Sequence, residues 1–276
     1  MKELMYDINA GLMVAILLIA VLIVMEIGFR HGRRRMAIAD DDSKGHVNAT
    51  SSSTLGLMAL LLAFTFSLSL QRFDARSDAV VDEANAIGTA YLRAQLLPPS
   101  LREEAKAKLR SYVDLRVKAD TVATVSSDWP ALVAEAGRIQ TTLWNDARRA
   151  AELEPNPVTS GLFIQSLNEL IDSFGRRDAA LDRHVPEIVL WLLFATFLIS
   201  AAIVGFASGF AGHRPSWVTF AMLVLILVLV FVILDLDRPR RGLIRVSQKS
   251  MLDLQASIKA DVGAAGAASP ASGVVR

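Results

Sequence analysis

The sequence predicts an all-α membrane protein: four transmembrane helices, with a helical domain inserted between the second and third spans. Three observations carry this expectation. Of the 276 residues 53% are hydrophobic, and the mean hydropathy of +0.39 exceeds that of an ordinary soluble chain. Four apolar runs are long enough to cross a hydrocarbon core of roughly 30 Å. Between the second and third runs, a block rich in both charge signs keeps its apolar residues at helical spacing.

The stretch Leu55–Pro98 organises the rest. Residues 55–70 are apolar, small or hydroxylated, and charges enter after Gln71. Phe73, Val80, Val81, Ala84, Ile87, Tyr91 and Leu92 nevertheless hold the helical period. No Gly or Pro marks the change. The second span is therefore expected to continue as a long extramembrane helix of about forty residues in all, or roughly 60 Å.

In order, residues 8–30 form the first transmembrane helix, because Ile8–Ile27 is almost wholly apolar and Arg30, Arg33, Arg34 and Arg35 follow as a basic stop. No small-residue cleavage site follows, which disfavours a cleaved signal peptide. Glu26 reads as an interfacial carboxylate beside Arg30. Polar Ala39–Ser53 reads as a loop whose Ser/Thr run caps the second transmembrane helix, residues 54–71.

Residues 72–185 form the helical extramembrane domain. Pro98-Pro99 stops the long helix, and Ser100 with Glu103 makes a capping box for the next. Polar Thr121–Asp128 interrupts that helix, Asp128-Trp129-Pro130 starts another, and Pro155-Asn156-Pro157 turns into a last one, roughly Thr159–Arg183. Pro186 opens the third transmembrane helix, residues 186–208, where Ala201, Gly205 and Gly209 make a small face suited to close packing. The fourth, residues 215–236, is uncharged from Ser216 to Leu234. Residues 237–259 read as an interfacial tail, in which Val246–Lys259 forms a short surface helix with Met251, Leu254 and Ile258 on one side. Residues 260–276, rich in Gly, Ala, Ser and Pro, read as a disordered tail.

Several classes of function are excluded. With no cysteine there is no disulfide scaffold, thiolate nucleophile or Cys-ligated metal. His31, His46, His184 and His213 form no i, i+3 or i+4 pair, and phosphate loops and dinucleotide fingerprints are absent. Neither an enzyme nor a cofactor is expected. The near-balanced charges of the central block are no nucleic-acid footprint.

Three groups of residues stand out. Thr65, Ser69, Arg72 and Arg76 fall at i, i+4, i+7 and i+11, which puts them on one helix face. They either bond back to carbonyls and pack against neighbouring helices, or line a water-filled path that widens into a cationic vestibule below an apolar constriction at Leu61 or Phe64. Glu83 lies with Asp82, Asn85 and Arg93 on an otherwise apolar amphipathic helix. It can pair with an arginine of another helix or bind a cation, and pairing is the expected role. Asp235, Asp237, Arg238, Arg240 and Arg241 crowd the end of the fourth span. They are expected to form an ion-pair cluster that docks the tail, so that deleting residues 251–276 is tolerated better than losing Arg238 and Arg241.

Two stretches resemble a known family. Leu61-Leu-Ala-Phe-Thr-Phe66, Arg72-Phe-Asp-Ala-Arg76 and Glu83-Ala-Asn-Ala-Ile-Gly-Thr-Ala-Tyr-Leu-Arg93, with Asp235-Leu-Asp-Arg-Pro-Arg-Arg-Gly-Leu-Ile-Arg-Val-Ser247, resemble a bacterial bestrophin-like membrane family of unassigned activity. That family is distantly similar to bestrophins, pentameric anion channels whose second span passes through an apolar neck into a cytosolic helical vestibule. Phe64-Thr-Phe-Ser67 stands where bestrophins carry Phe-Arg-x-Asn. The resemblance implies a homo-oligomer, such as a pentamer, in the bacterial cytoplasmic membrane, conducting small anions along the second span. Its partners would be lipid, further copies of the chain and small inorganic ions. The arginines of the first loop and those beside the domain oppose each other under the positive-inside rule, and the reading places the domain and both termini in the cytoplasm. The alternative function is a membrane-anchored helical-bundle sensor or scaffold acting through a partner protein. A coupled transporter is disfavoured, because no span carries an ionisable group near its centre.

Overall fold

A computed structural model describes residues 9–38, 40–120, 128–238 and 242–267. Among them are eight α-helices: α1 (Ala10–Arg35), α2 (Asp41–Arg93), α3 (Pro99–Asp120), α4 (Trp129–Leu153), α5 (Leu162–Asp182), α6 (Glu187–Phe210), α7 (Trp217–Leu236) and α8 (Lys249–Ala267). Four helical stretches, containing α1, α2, α6 and α7, are long and apolar enough to cross a membrane. The chain divides into two compact units, the first from residues 1–73 and 184–244, the second from 74–183 and 245–276.

The first unit holds the apolar helices. Val21 of α1, Met58 and Leu62 of α2, Leu190, Leu193 and Phe197 of α6, and Leu227 and Val230 of α7 share one core. The closest approach is between α1 and α6, where glycines on both helices admit the partner's backbone. A Cβ on Gly28 would lie 2.2 Å from the Ala202 carbonyl oxygen, and on Gly32 2.1 Å from that of Phe206. From the other side, a Cβ on Gly205 or Gly209 would lie 2.1 Å from the carbonyl oxygens of Met25 and Phe29. Both sets ascend together, so α1 and α6 run parallel. Such contact lets dispersion act over the whole crossing, which matters where lipid removes the hydrophobic drive between helices.

The second unit is a helical domain around Ile87 and Tyr91 of α2, Leu101, Leu109 and Tyr112 of α3, Leu143 of α4, and Phe163, Leu167 and Leu170 of α5. Arg76 fastens α2 to the end of α5, its guanidinium donating to the carbonyls of Ala180 (3.1 Å) and Arg183 (2.7 Å).

Helix α2 runs unbroken for 53 residues, and no reversal occurs between Gln71 and Asp82. Its start corrects the sequence reading, because residues 41–53 are helical and not a loop. Asp40 caps the helix by accepting from the Ser43 N–H at 2.9 Å. Thr50 and Thr54 turn their hydroxyls onto the carbonyls of His46 and Thr50 within the helix. These two hydroxyls therefore bond back to their own helix and do not cap it. Helix α3 likewise starts a residue before Ser100: Pro98 supplies the first accepting carbonyl, so the capping box does not form. Apart from Asp128, the break expected at Thr121–Asp128 lies outside the described residues.

The tail is the larger correction. Helix α8 continues through Ala267, across residues expected to be disordered, and it joins the second unit. Met251 and Ile258 are buried in that unit's core, with Leu254 packed against it. Asp261 accepts from the Tyr91 hydroxyl at 2.9 Å and from Lys106 Nζ at 3.0 Å. Alanine is the best helix former, and these anchors hold the alanine-rich segment down. Composition alone showed neither anchor.

Candidate functional site

In α2 the membrane-level residues sort into two faces. Met58, Leu62, Thr65 and Ser69 are buried, and further along so is Arg76. Thr65 donates to the Leu61 carbonyl at 2.7 Å, the back-bonding a buried hydroxyl needs. Phe64 is 60% exposed, while Leu61 and Arg72 are half-buried. Of the two readings of the polar stripe, back-bonding and packing is the one these contacts fit. Thr65, Ser69 and Arg76 share a face, and that face turns into the chain's own packing. The face turned outward carries Leu60, Phe64, Ser67 and Gln71, spaced i, i+4, i+7 and i+11 and all exposed. Gln71 Nε2 donates to Ser67 Oγ at 3.2 Å.

Glu83 is fully buried in the second unit. Its carboxylate accepts two bonds from Arg116, Nε at 2.7 Å and Nη2 at 3.1 Å, a third from Arg177 Nη1 at 2.6 Å, and a long one from the Tyr112 hydroxyl at 3.3 Å. Gln140 donates to the Tyr112 oxygen, and Arg177 reaches on to Gln248 Oε1 just before α8. Arg116 also lies over the Phe174 ring, 4.8 Å from its centroid. Burial by itself would raise the Glu83 pKa, but the charges of Arg116 and Arg177 outweigh it and hold the carboxyl below its ordinary value. Burial, reinforced by the Glu83 charge, pushes the Tyr112 phenol up, so it stays a hydrogen donor. One carboxylate thus ties together α2, α3, α5 and the entry to α8.

Asn85 and Arg93 lie apart from that cluster. They border a surface groove of about 420 Å³ with Asp82, Thr89, Glu169 and Arg176. Arg93 donates to the Leu162 carbonyl at 3.0 Å, and Arg176 pairs with Glu169.

At the end of α7 the carboxylates turn to main chain. Asp235 accepts from the N–H groups of Leu243 (3.0 Å) and Ile244 (2.8 Å). A Cβ on Gly242 would meet that carboxylate at 2.8 Å, so a side chain there would have to displace it. Asp237 accepts from the Val185 N–H at 2.9 Å, and its own carbonyl oxygen lies 2.9 Å from His184 Nδ1. Both aspartates and Arg238 are buried. Asp235 thus holds the segment that follows α7 and Asp237 the entry to α6, main-chain roles beyond the expected ion-pair cluster, while Met251, Ile258 and Asp261 of α8 hold the tail. Arg240 and Arg241 lie outside the described residues.

Sequence reasoning missed the partners of Glu83, although a signal existed. Arg116 continues the buried stripe Leu109, Tyr112 and Val113, and Arg177 continues Leu167, Leu170 and Ser173. A cation in register with an apolar stripe asks for a buried anion. Among the described residues no group of three or more His, Cys, Asp or Glu could hold a metal ion.

These features define an all-helical membrane protein with a helical domain between its second and third apolar helices. The Bestrophin-like domain matches residues 17–251, and the chain belongs to that family. Its fold is similar to that of a bacterial bestrophin homologue from Klebsiella pneumoniae. One variant of that homologue gives a TM-score of 0.66 at 18% identity, over 90% of this chain and 97% of the other. A second variant gives 0.63 at 16% identity, over 90% and 99%. A further membrane-protein structure gives 0.61 at 15% identity, over 90% and 98%. No curated protein matches the sequence.

Proposed function

We propose that the chain assembles as a homo-oligomer in the bacterial cytoplasmic membrane and conducts small inorganic ions along an axis lined by the outer face of α2. One observation carries this reading: Leu60, Phe64, Ser67 and Gln71 form an exposed stripe that mixes apolar, hydroxyl and amide groups. Away from the basic end of α1, the large exposed residues of the other spans are apolar, such as Ile16 and Ile23 of α1, Trp191 and Ile199 of α6, and Leu225 and Val228 of α7. Those faces suit acyl chains. A ring of Leu60 and Phe64 is a constriction able to gate by dewetting, with polar groups beyond it. Membership of the bestrophin-like family supports the channel class, and a ring of five follows from the resemblance.

Anions are the ions that the resemblance implies, and half-buried Arg72 is the cation available for them. A second reading rests on Asp74 and Asp78, which are exposed and continue the Leu60–Gln71 spacing while Arg76 is withdrawn. Rings of carboxylates favour cations. Particle mass in detergent, combined with planar-bilayer recording, tests the proposal. A ring-sized oligomer whose current rises in Phe64→Ala supports it. A dimer, or an oligomer silent across voltage, pH and calcium, would turn the reading to a membrane-anchored sensor or scaffold.

A further inference from the structure

The end of the apolar unit where α1 and α6 finish together carries a cluster of cations that the channel reading leaves unused. Arg30, Arg33, Arg34 and Arg35 project from the last turns of α1, and Arg214 from the turn between α6 and α7; all five are exposed. Basic residues in a last turn also complement the helix dipole, which would account for Arg33–Arg35. It does not account for Arg214. That guanidinium lies over the Phe29 ring of α1, 5.5 Å from its centroid, at the mouth of a cleft of about 100 Å³ lined by Met25, Glu26, Phe29, Arg214, Pro215 and Phe220.

The cleft's lining joins one cation, Arg214, to a mostly apolar wall. Met25 and Phe29 are buried, Phe220 is 41% exposed and Trp217, at the start of α7, is 77% exposed. Its one carboxylate, Glu26, is engaged by Arg30 Nε at 2.7 Å. Asp40 and Asp42, at the start of α2, do not line it. An exposed aromatic beside arginines at a span's end marks the depth of lipid headgroups. We propose that this cleft binds an anionic phospholipid. Its phosphate would sit between Arg214 and the last turns of α1, and an acyl chain would follow Met25, Phe29 and Phe220. Charge complementarity selects the headgroup, and the apolar wall selects a lipid over a free anion.

Trp217 reports on the site. In a Trp191→Phe background, the remaining tryptophans, Trp129 and Trp144, belong to the charged helix α4 of the second unit and give a constant background, which a Trp217→Phe control measures. The protein is reconstituted in phosphatidylcholine vesicles containing one-fifth phosphatidylglycerol, with the bromine on the acyl chains of one lipid or the other. Quenching of Trp217 is expected to show phosphatidylglycerol preferred over phosphatidylcholine by about tenfold, and the preference is expected to fall to about twofold in Arg33→Gln/Arg214→Gln. Glu26→Gln, which removes the cleft's carboxylate, should strengthen it, a gain that misfolding cannot imitate. Equal quenching by both lipids, an unchanged preference in the double variant, a weaker preference in Glu26→Gln, or displacement by excess inorganic phosphate would each overturn the proposal.

Discussion

Glu83 and Arg116 face each other through two hydrogen bonds, 2.7 and 3.1 Å, in a site closed to solvent. With Arg177 as a second cation, the carboxylate is over-compensated, so the cluster depends on its charge. Breaking a buried pair by removing one partner costs about 3–5 kcal/mol, because the other charge is left stranded. Glu83→Gln should therefore lower thermal stability by about that amount, measured by unfolding in detergent. Ion flux per folded oligomer should change little; selective loss of flux at unchanged stability would assign Glu83 to conduction instead.

The same cluster fixes a pH dependence. The Glu83 pKa is lower in the folded chain than its ordinary value of 4.5. Its contribution to stability is thus fully present above about pH 4.5 and lost as pH falls through the lower, folded value. Acid titration of wild type and Glu83→Gln should show curves that converge at low pH, with the steeper loss in wild type. Parallel curves would remove the carboxylate from the account.

The glycine seam makes a local prediction with an internal control. Gly205→Ala places a methyl 2.1 Å from the Met25 carbonyl oxygen, and Gly28→Ala meets Ala202 in the same way. Neither backbone can yield without parting α1 from α6, so each should cost at least about 1–3 kcal/mol. Gly56 on α2 has nothing within 4 Å of its would-be Cβ, so Gly56→Ala should be neutral or stabilising by up to about 1 kcal/mol. Unfolding of the three variants side by side checks the contrast.

Helix α8 keeps the apolar side expected of the short helix over Val246–Lys259, but it runs on to Ala267 and buries that side in the second unit's core. Met251 is 1% exposed and Ile258 5%. Met251→Ala should cost about 2–5 kcal/mol. Deleting residues 251–276 should destabilise the helical domain rather than be tolerated. Protease sensitivity of the truncated chain, read at sites in α3 and α5, would report the difference.

Much of this architecture was legible in the sequence. The four apolar helices, the long α2 and the proline stops all follow from hydropathy, period and backbone chemistry, and the pairing expected of Glu83 follows from the cost of burying a lone charge. What the sequence withheld was direction. The spacing of Thr65, Ser69 and Arg76 shows that they share a face, but not whether that face meets lipid, a pore or another helix of the same chain. In a membrane helix the apolar side is no longer the buried one by default, so the usual rule fails just where it is needed. Gly28 and Gly32 were hidden for a related reason, since their four-residue spacing sits inside the run that ends in the basic stop. The partner glycines Gly205 and Gly209 were visible against purely apolar neighbours.

The lack of cysteine makes the central claim directly testable. Single cysteines at Leu60, Phe64, Ser67, Gln71, Thr65 and Ser69 can be introduced one at a time and exposed to a charged, water-soluble thiol reagent during bilayer recording. The account predicts that current is altered by modification of Leu60→Cys, Phe64→Cys, Ser67→Cys and Gln71→Cys, and untouched in Thr65→Cys and Ser69→Cys. Block at Thr65→Cys and Ser69→Cys with no effect at the other four would contradict it.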